Sequence, residues 1–119
     1  MKETKLKVDS IEINGETYFK EVQTNSLPYV IVRTYSAGVF TGFLKSRDGK
    51  EGVMKDARRL WYWSGAASLS QLAMEGVKNP NECKFPCTVD EVILTEIVEI
   101  ITCTKEAKKS IDSVKIWSA

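Results

Sequence analysis

The segment ARRLWYWSGAAS, residues 57–68, carries the residue types that are best suited to ligand chemistry. If its first seven residues form a strand, the two-residue alternation of side chains places Arg59, Trp61 and Trp63 on one face. A guanidinium group beside flat indole rings offers charge to a phosphate and a π surface to a base. The segment therefore predicts a surface that binds a phosphorylated aromatic ligand. The alternative interpretation is a core tryptophan pair with an arginine side chain lying across it.

The small residues at the end of this segment predict a turn into a helix. Ser68 and Gln71 fit a capping box, and Gly76 is a natural residue to follow the helix predicted at 69–75. Backbone N–H groups at a helix start bind anions, and small side chains let a ligand approach closely. The predicted phosphate cradle consists of Ser64, Gly65, Ala66 and Ser68. Neither a GxGxxG nor a GxxxxGK motif supports it.

A second candidate is RTYSAG, residues 33–38, which ends an apolar strand predicted at 29–35. The strand is apolar on both faces, as expected of a central strand. Its end brings Arg33, Ser36 and the backbone of Gly38 close enough in sequence to face one ligand. The alternative is a plain turn into the next strand.

Composition excludes several functional classes. The 119 residues contain no histidine, which removes Ser-His and Cys-His nucleophiles and the commonest metal ligand. Cys83, Cys87 and Cys103 have no zinc-like spacing and are interpreted as reduced thiols, so neither a metal site nor a cofactor is predicted. A net charge of +1 argues against duplex DNA as a partner. The chain shows no transmembrane run and no apolar leader, and we expect a binding protein rather than an enzyme.

Turn signals outline a sheet before the last helix. Asn14-Gly15 predicts a hairpin arm over residues 1–22, and Asp48-Gly49 predicts a second hairpin. The second register pairs Leu44 with Val53. It likewise sets Phe43 opposite Met54 and Arg47 opposite Lys50.

The C-terminal region predicts one more strand and a second helix. The segment VILTEIVEIIT, residues 92–102, is rich in β-branched residues and is interpreted as a single strand. Thr104 is a candidate cap for a helix with an apolar stripe at Ala107, Ile111 and Val114. We therefore expect one small α+β domain over residues 1–119, with a bent antiparallel sheet followed by two short helices.

Three ungapped stretches of the chain are similar to the sequences of a known protein family. They are VRTYSAGVFTGFLKSRDGKE, ARRLWYWSGAASLSQLA and DEVILTEIVEIITCTKEA, and the similarity covers residues 29–117. The chain resembles the phage Thoeris anti-defence family, the cyclic ADP-ribose sponges. The resemblance implies a protein that sequesters glycocyclic ADP-ribose, and in some members cyclic di- or trinucleotides, without cleaving it. It also implies a homodimer, or a hexamer built from dimers, in the cytoplasm of the infected bacterial host.

The resemblance also extends the set of expected ligand contacts. It implies contacts from the arginine, tryptophan and SGAAS positions above, together with Arg58, Asn81 and Phe85. A basic residue near the C-terminus of a partner subunit is expected to complete the pocket, with Lys109 and Lys115 as the candidates. The alternative function is a phage structural or interaction protein that uses the aromatic face as an oligomer interface.

Overall fold

Five antiparallel strands and two short helices form the part of the chain that the computed structural model describes, residues 26–119. The strands are β1 (Tyr29–Thr34), β2 (Val39–Asp48), β3 (Glu51–Arg59), β4 (Thr88–Leu94) and β5 (Ile97–Thr102). Helix α1 spans Leu69–Glu75 and lies between β3 and β4, and α2 spans Lys105–Asp112. The predicted α+β class is confirmed. The hairpin arm predicted at residues 1–22 lies outside the described residues.

The sheet is curled, as its strand order requires. The order is β4-β3-β2-β1-β5, so β4 and β5 lie at opposite edges although only Thr95 and Glu96 join them. Such a short link forces the two edges to meet at one end, where the Ile97 N–H donates to the Lys50 carbonyl at 2.9 Å. The prediction of a single strand over residues 92–102 is therefore wrong. The link between β4 and β5 contains neither glycine nor proline, so the sequence carried no turn signal there.

Apolar side chains from all five strands fill the inside of the curl. We call this group the inner cluster; its buried members are Val30, Val32, Phe40, Met54, Ala57, Leu94 and Ile97. The strand β1 lies between β2 and β5 and contributes Val30 and Val32 to this cluster, while Ile31 faces the other side. The prediction of a central strand that is apolar on both faces is thereby confirmed.

Both helices pack on the outer face of the sheet. The buried members of this outer cluster are Ile31, Leu60, Leu72, Ala73, Val77, Cys83, Phe85, Ile111 and Val114. The predicted apolar stripe of α2 is buried here. Both predicted caps are present, since the Ser68 hydroxyl accepts from the Gln71 N–H and the Thr104 hydroxyl from the Ala107 N–H.

The β2–β3 turn lies one residue later than predicted. It is formed by Gly49 and Lys50, and Gly49 takes a positive φ of 62° that suits glycine. The ladder is also irregular between Leu44 and Ser46, which leaves Lys45 as an extra residue on β2. The predicted register is wrong; the observed pairs are Phe43–Lys55, Leu44–Met54, Arg47–Gly52 and Asp48–Glu51.

The strand β3 ends at Arg59, before the tryptophans. Beyond it, Tyr62 forms an isolated bridge with Lys84, and the Trp61 N–H also donates to the Lys84 carbonyl at 3.1 Å. The strand predicted over residues 57–63 is therefore wrong in its second half. The strict alternation of faces does not extend to Trp61 and Trp63, because the chain has left the sheet.

Candidate functional site

The predicted surface of Arg59, Trp61 and Trp63 is not one face. Arg59 lies across the Phe40 ring, with its guanidinium carbon 4.4 Å from the ring centroid, and Phe40 belongs to the inner cluster. Trp63 packs against the outer cluster instead. Trp61 is 63% exposed and is not among the residues packed against either cluster. The prediction of a shared face is wrong, and Trp63 fits the alternative interpretation of a core residue.

The predicted phosphate cradle is partly occupied by contacts within the protein itself. The Ser64 N–H donates to the Cys83 thiol sulfur at 3.4 Å, and the Ser64 hydroxyl donates to the Glu82 carboxylate. The backbone of Gly65 lies against residues 78 and 79. Ser68 is occupied as the cap of α1, while Ala66 packs on the outer cluster. These residues are brought together as predicted, and the Ser64 donors and the Ser68 hydroxyl are engaged within the fold.

The residues Arg33, Ser36, Gly38 and Arg59 do meet, around the turn between β1 and β2. The Arg59 guanidinium donates to the Ala37 carbonyl, and Gly38 has a positive φ of 97° beside it. This turn therefore gathers four residues that sequence reasoning placed in two separate candidates.

Acidic side chains of β5 and of the link before it occupy the polar groups of this turn. The Arg33 Nε donates to the Glu99 carboxylate at 2.9 Å, and the Ser36 hydroxyl donates to the Glu96 carboxylate. An anionic ligand at this turn would have to displace these carboxylates or approach against their charge. The turn is accordingly the weaker candidate site.

Arg58 is a structural residue rather than an exposed ligand contact. It is only 8% exposed, and its guanidinium donates four hydrogen bonds, all to backbone carbonyls. The acceptors are Pro86 at 2.9 Å, Phe85 at 3.1 Å, Ile111 at 3.1 Å and Val114 at 2.8 Å. Burial lowers the pKa of Arg58 below its ordinary value. The ligand contact predicted for Arg58 stays a prediction; at the tryptophan end of the molecule its donors are bonded to carbonyls, and its side chain borders the second cavity described below.

An exposed aromatic pair lies where β3 has ended. The rings of Trp61 and Trp117 are stacked, with centroids 6.3 Å apart and an angle of 12° between their planes. The Lys84 ammonium lies 5.6 Å from the Trp117 ring centroid and 6.0 Å from that of Tyr62. Flat rings with a cation beside them form a surface that attracts planar, negatively charged ligands.

A cavity opens next to this aromatic pair. Its volume is about 370 Å³, and its lining residues are Pro80, Asn81, Cys83, Lys115, Ile116 and Trp117. Asn81 and Lys115, two residues implied by the resemblance, thus lie in one cavity with Trp117. We call the group of Trp61, Asn81, Lys84, Lys115 and Trp117 the tryptophan site.

Two residues that the resemblance implied as contacts stand apart from this site. Phe85 is completely buried, so its ring cannot touch a ligand, although its carbonyl accepts from the Trp117 N–H at 3.0 Å. Lys109 is exposed on the last turn of α2 and does not line the cavity that Lys115 lines. Lys115 thus lies beside Trp117 of its own chain, and the contact of a C-terminal lysine with the pocket of a partner subunit stays a prediction.

Sequence reasoning missed two members of the site. Lys84 lies in a loop without a motif, and only its bridge to Tyr62 brings it beside the rings. Trp117 is near the C-terminus, and its backbone pairing with Phe85 places it against Trp61. The one available signal for Trp117 was the surplus of aromatic residues over what a small core needs.

A second cavity of about 400 Å³ lies between α2 and the sheet, where Tyr29, Phe43, Lys108 and Asp112 line it. The Lys108 ammonium is 2.8 Å from the Asp112 carboxylate and lies over both aromatic rings. Burial raises the pKa of Tyr29 from 10.0 to about 12. Within this cavity, which Asp56 and Arg58 also line, Lys108 is thus already paired with Asp112 and with the two rings.

Within residues 26–119, no helix has the length and hydropathy to cross a membrane, and no group of three metal-binding side chains is found. No curated protein and no solved structure matches the chain. Residues 27–111 match the family model described as a domain of unknown function, DUF6948. Because this match spans more than half of the 119 residues, the chain belongs to the DUF6948 family.

Proposed function

We propose that this protein binds a nucleotide at the tryptophan site and holds it without chemical change. The observation that carries the proposal is the exposed, nearly parallel pair of Trp61 and Trp117 with Lys84 beside it. A base stacks on an exposed indole with a gain of about 1–3 kcal/mol. The same surface offers positive charge for the phosphate that a nucleotide carries.

The charge of the site favours an anionic ligand. Among residues 26–119, neither Lys84 nor Lys115 has an acidic side chain within ion-pair distance, in contrast to Arg33 at the β1–β2 turn. Asn81 adds an amide with both a donor and an acceptor. Stacking, charge and an amide provide recognition, and the site offers no paired acid and base for turnover.

The resemblance given above supports a more specific ligand. Glycocyclic ADP-ribose has an adenine for the tryptophans and two phosphates for the lysines, and we propose it as the first ligand to test. In this proposal the protein is a phage anti-defence sponge that acts in the cytoplasm of the infected host. A cyclic di- or trinucleotide would present the same two chemical groups.

Calorimetry with the full chain tests binding. A sponge must hold a dilute signal, so we expect a Kd on the order of 1 nM, or about −12 kcal/mol, for glycocyclic ADP-ribose. Subsequent denaturation and mass analysis should return the ligand intact. An altered product would show an enzyme, and Kd values above the micromolar range for every nucleotide tested would contradict the proposal.

Variants of the site show where the ligand binds. Trp117→Ala should weaken binding by about 1–3 kcal/mol, because one stacking ring is lost. Tyr35→Ala is the matched control, since Tyr35 is 81% exposed at the β1–β2 turn, outside the tryptophan site. For charge, Lys115→Ala should weaken binding and Lys105→Ala, at the exposed start of α2, should not. Equal effects of Trp117→Ala and Tyr35→Ala would contradict the placement of the site.

A second function is favoured by the apolar character of the same surface. Trp61, Tyr62, Ile116 and Trp117 are all large, apolar and exposed. Exposed clusters of this kind often mark contacts between proteins. If no nucleotide binds and Trp117→Ala dissociates an oligomer, the surface is an interface of a structural or interaction protein.

A further inference from the structure

We infer that Arg58 is the positioning residue of the tryptophan site, holding its two chain segments together from beneath without touching the ligand. The inference rests on the proposed function only where it concerns affinity. The geometry of the aromatic pair itself can be measured with no ligand present.

The two segments that carry the site come from distant parts of the chain. Asn81 and Lys84 belong to the connection between β3 and β4, whereas Lys115 and Trp117 follow α2. The connection between β3 and β4 also includes Phe85, and one parallel bridge, Phe85 to Ile116, joins the two segments. An isolated bridge of this kind is weak, so the alignment needs a further source of rigidity.

Arg58 supplies that rigidity through both segments at once. Its Nη2 atom donates to the Phe85 carbonyl at 3.1 Å and to the Val114 carbonyl at 2.8 Å. The Phe85 carbonyl oxygen accepts two hydrogen bonds, because the Trp117 N–H also donates to it at 3.0 Å. The backbone atom that fixes Trp117 is thus itself fixed by the guanidinium.

The remaining bonds of Arg58 anchor the arrangement to the fold. Nε donates to the Pro86 carbonyl at 2.9 Å, and Nη1 donates to the Ile111 carbonyl at 3.1 Å at the end of α2. The guanidinium carbon also lies 5.4 Å from the Phe85 ring centroid. Only a planar group with five donors reaches four carbonyls in different directions. Lysine has the charge but not this geometry.

The experiment compares Arg58→Lys with the parent in two independent readouts. The first is the coupled circular-dichroism signal of the stacked Trp61 and Trp117 rings, which needs no ligand. The second is the Kd for glycocyclic ADP-ribose. We expect Arg58→Lys to lose most of the coupled signal and to bind about tenfold more weakly, because the ligand must then order the site itself.

Met54→Ala is the control for a general loss of stability. Met54 is completely buried in the inner cluster, on the other side of the sheet. Its truncation should lower the melting temperature but leave the carbonyls that accept from Arg58 unchanged. It should keep both the coupled signal and the Kd of the parent. Arg58→Gln is the second arginine variant if the lysine variant does not fold, since a neutral amide still donates to two carbonyls.

The outcomes separate this inference from the proposed function. If the arginine variants keep the coupled signal, or lose it only as much as Met54→Ala does, the positioning role is wrong. If the signal is lost but the parent binds no nucleotide, the positioning role stands and the proposed function fails. If the signal is lost and the Kd is unchanged, the pair is positioned by Arg58 but the ligand binds elsewhere.

Discussion

At the scale of single residues, the neighbours Arg58 and Arg59 show how position decides the role of identical side chains. Arg58 faces the outer cluster, and its guanidinium donates hydrogen bonds to four backbone carbonyls. Arg59 faces the opposite side, where it lies over Phe40 and remains exposed. Their alternation on β3 makes one residue part of the framework and leaves the other at the surface.

Tyr29 is the residue for which a pH dependence follows from the structure. Burial raises its pKa from 10.0 to about 12, so the folded chain keeps a proton that the unfolded chain releases. The corresponding stability is fully present below pH 10.0 and is lost as the pH rises towards about 12. Over this pH range, the free energy of unfolding of Tyr29→Phe should fall by about 2 kcal/mol less than that of the parent.

Urea unfolding between pH 9 and 12 measures this effect. Cys103 contributes to the same decline at slightly lower pH, because burial raises its pKa from 9.0 to about 11. Tyr29→Phe should therefore retain the Cys103 part of the decline, from pH 9.0 to about 11, and lose the Tyr29 part, from pH 10.0 to about 12. A decline in Tyr29→Phe that equals that of the parent over the whole range would show that Tyr29 does not titrate in this way.

At the scale of elements, the site depends on the connection between β3 and β4 rather than on the sheet itself. This connection folds back on its own start, where the Lys78 N–H donates to the Gly65 carbonyl and the Asn79 N–H donates to the Ser64 carbonyl. Further along, the Lys84 N–H donates to the Tyr62 carbonyl at 2.7 Å. These backbone hydrogen bonds thus fix the positions of Asn81 and Lys84, which lie outside the β-strands and the α-helices.

Gly65 is a position at which this connection is sensitive to substitution. It has a positive φ of 94°, and a Cβ atom there would lie 2.4 Å from the Lys78 backbone nitrogen. Gly65→Ala should therefore lower the free energy of unfolding by about 2–3 kcal/mol and disturb the loop that carries Asn81. Urea unfolding measures the loss.

Gly49→Ala is the matched control for Gly65→Ala. Gly49 also has a positive φ, of 62°, but a Cβ atom there meets nothing within 4 Å. Its replacement should cost only about 1 kcal/mol, the penalty of the backbone conformation alone. If the two variants lose the same stability, the close approach at Gly65 is not a constraint.

At the scale of the whole molecule, the aromatic surface predicts self-association. Large apolar side chains are exposed together at Trp61, Tyr62, Ile116 and Trp117, next to an open cavity of about 370 Å³. A second copy would cover these rings and enclose the cavity, and a two-fold arrangement would present each pocket twice. We expect a dimer, or a multiple of a dimer, with two ligands per dimer.

Light scattering on the full chain measures the mass of the assembly in multiples of 13.4 kDa. Trp117→Ala should shift the equilibrium towards the monomer, whereas Tyr35→Ala should not. A parent protein that remains monomeric at high micromolar concentration while binding one ligand tightly would refute the dimer. It would leave the proposed binding function intact.

The sequence by itself was sufficient for the local elements. Apolar periodicity and caps predicted α1, α2 and the central strand β1, because these features depend on residues within a few positions of one another. The residue types also singled out Arg33, Ser36, Gly38 and Arg59 as candidate ligand contacts, a role that stays a prediction. What periodicity could not foresee was the end of β3 at Arg59, since the chain leaves the sheet by a long-range bridge to Lys84.

Only the tertiary structure decided which candidates form a site. Trp61 and Trp117 are 56 positions apart in the sequence, and no local pattern relates them. They meet because Phe85 pairs with the C-terminal segment and Arg58 joins both segments through their carbonyls. The same packing buried Phe85 and Arg58, which the resemblance had made candidate ligand contacts. Backbone carbonyls carry no sequence signal, and so the role of Arg58 was visible only in the fold.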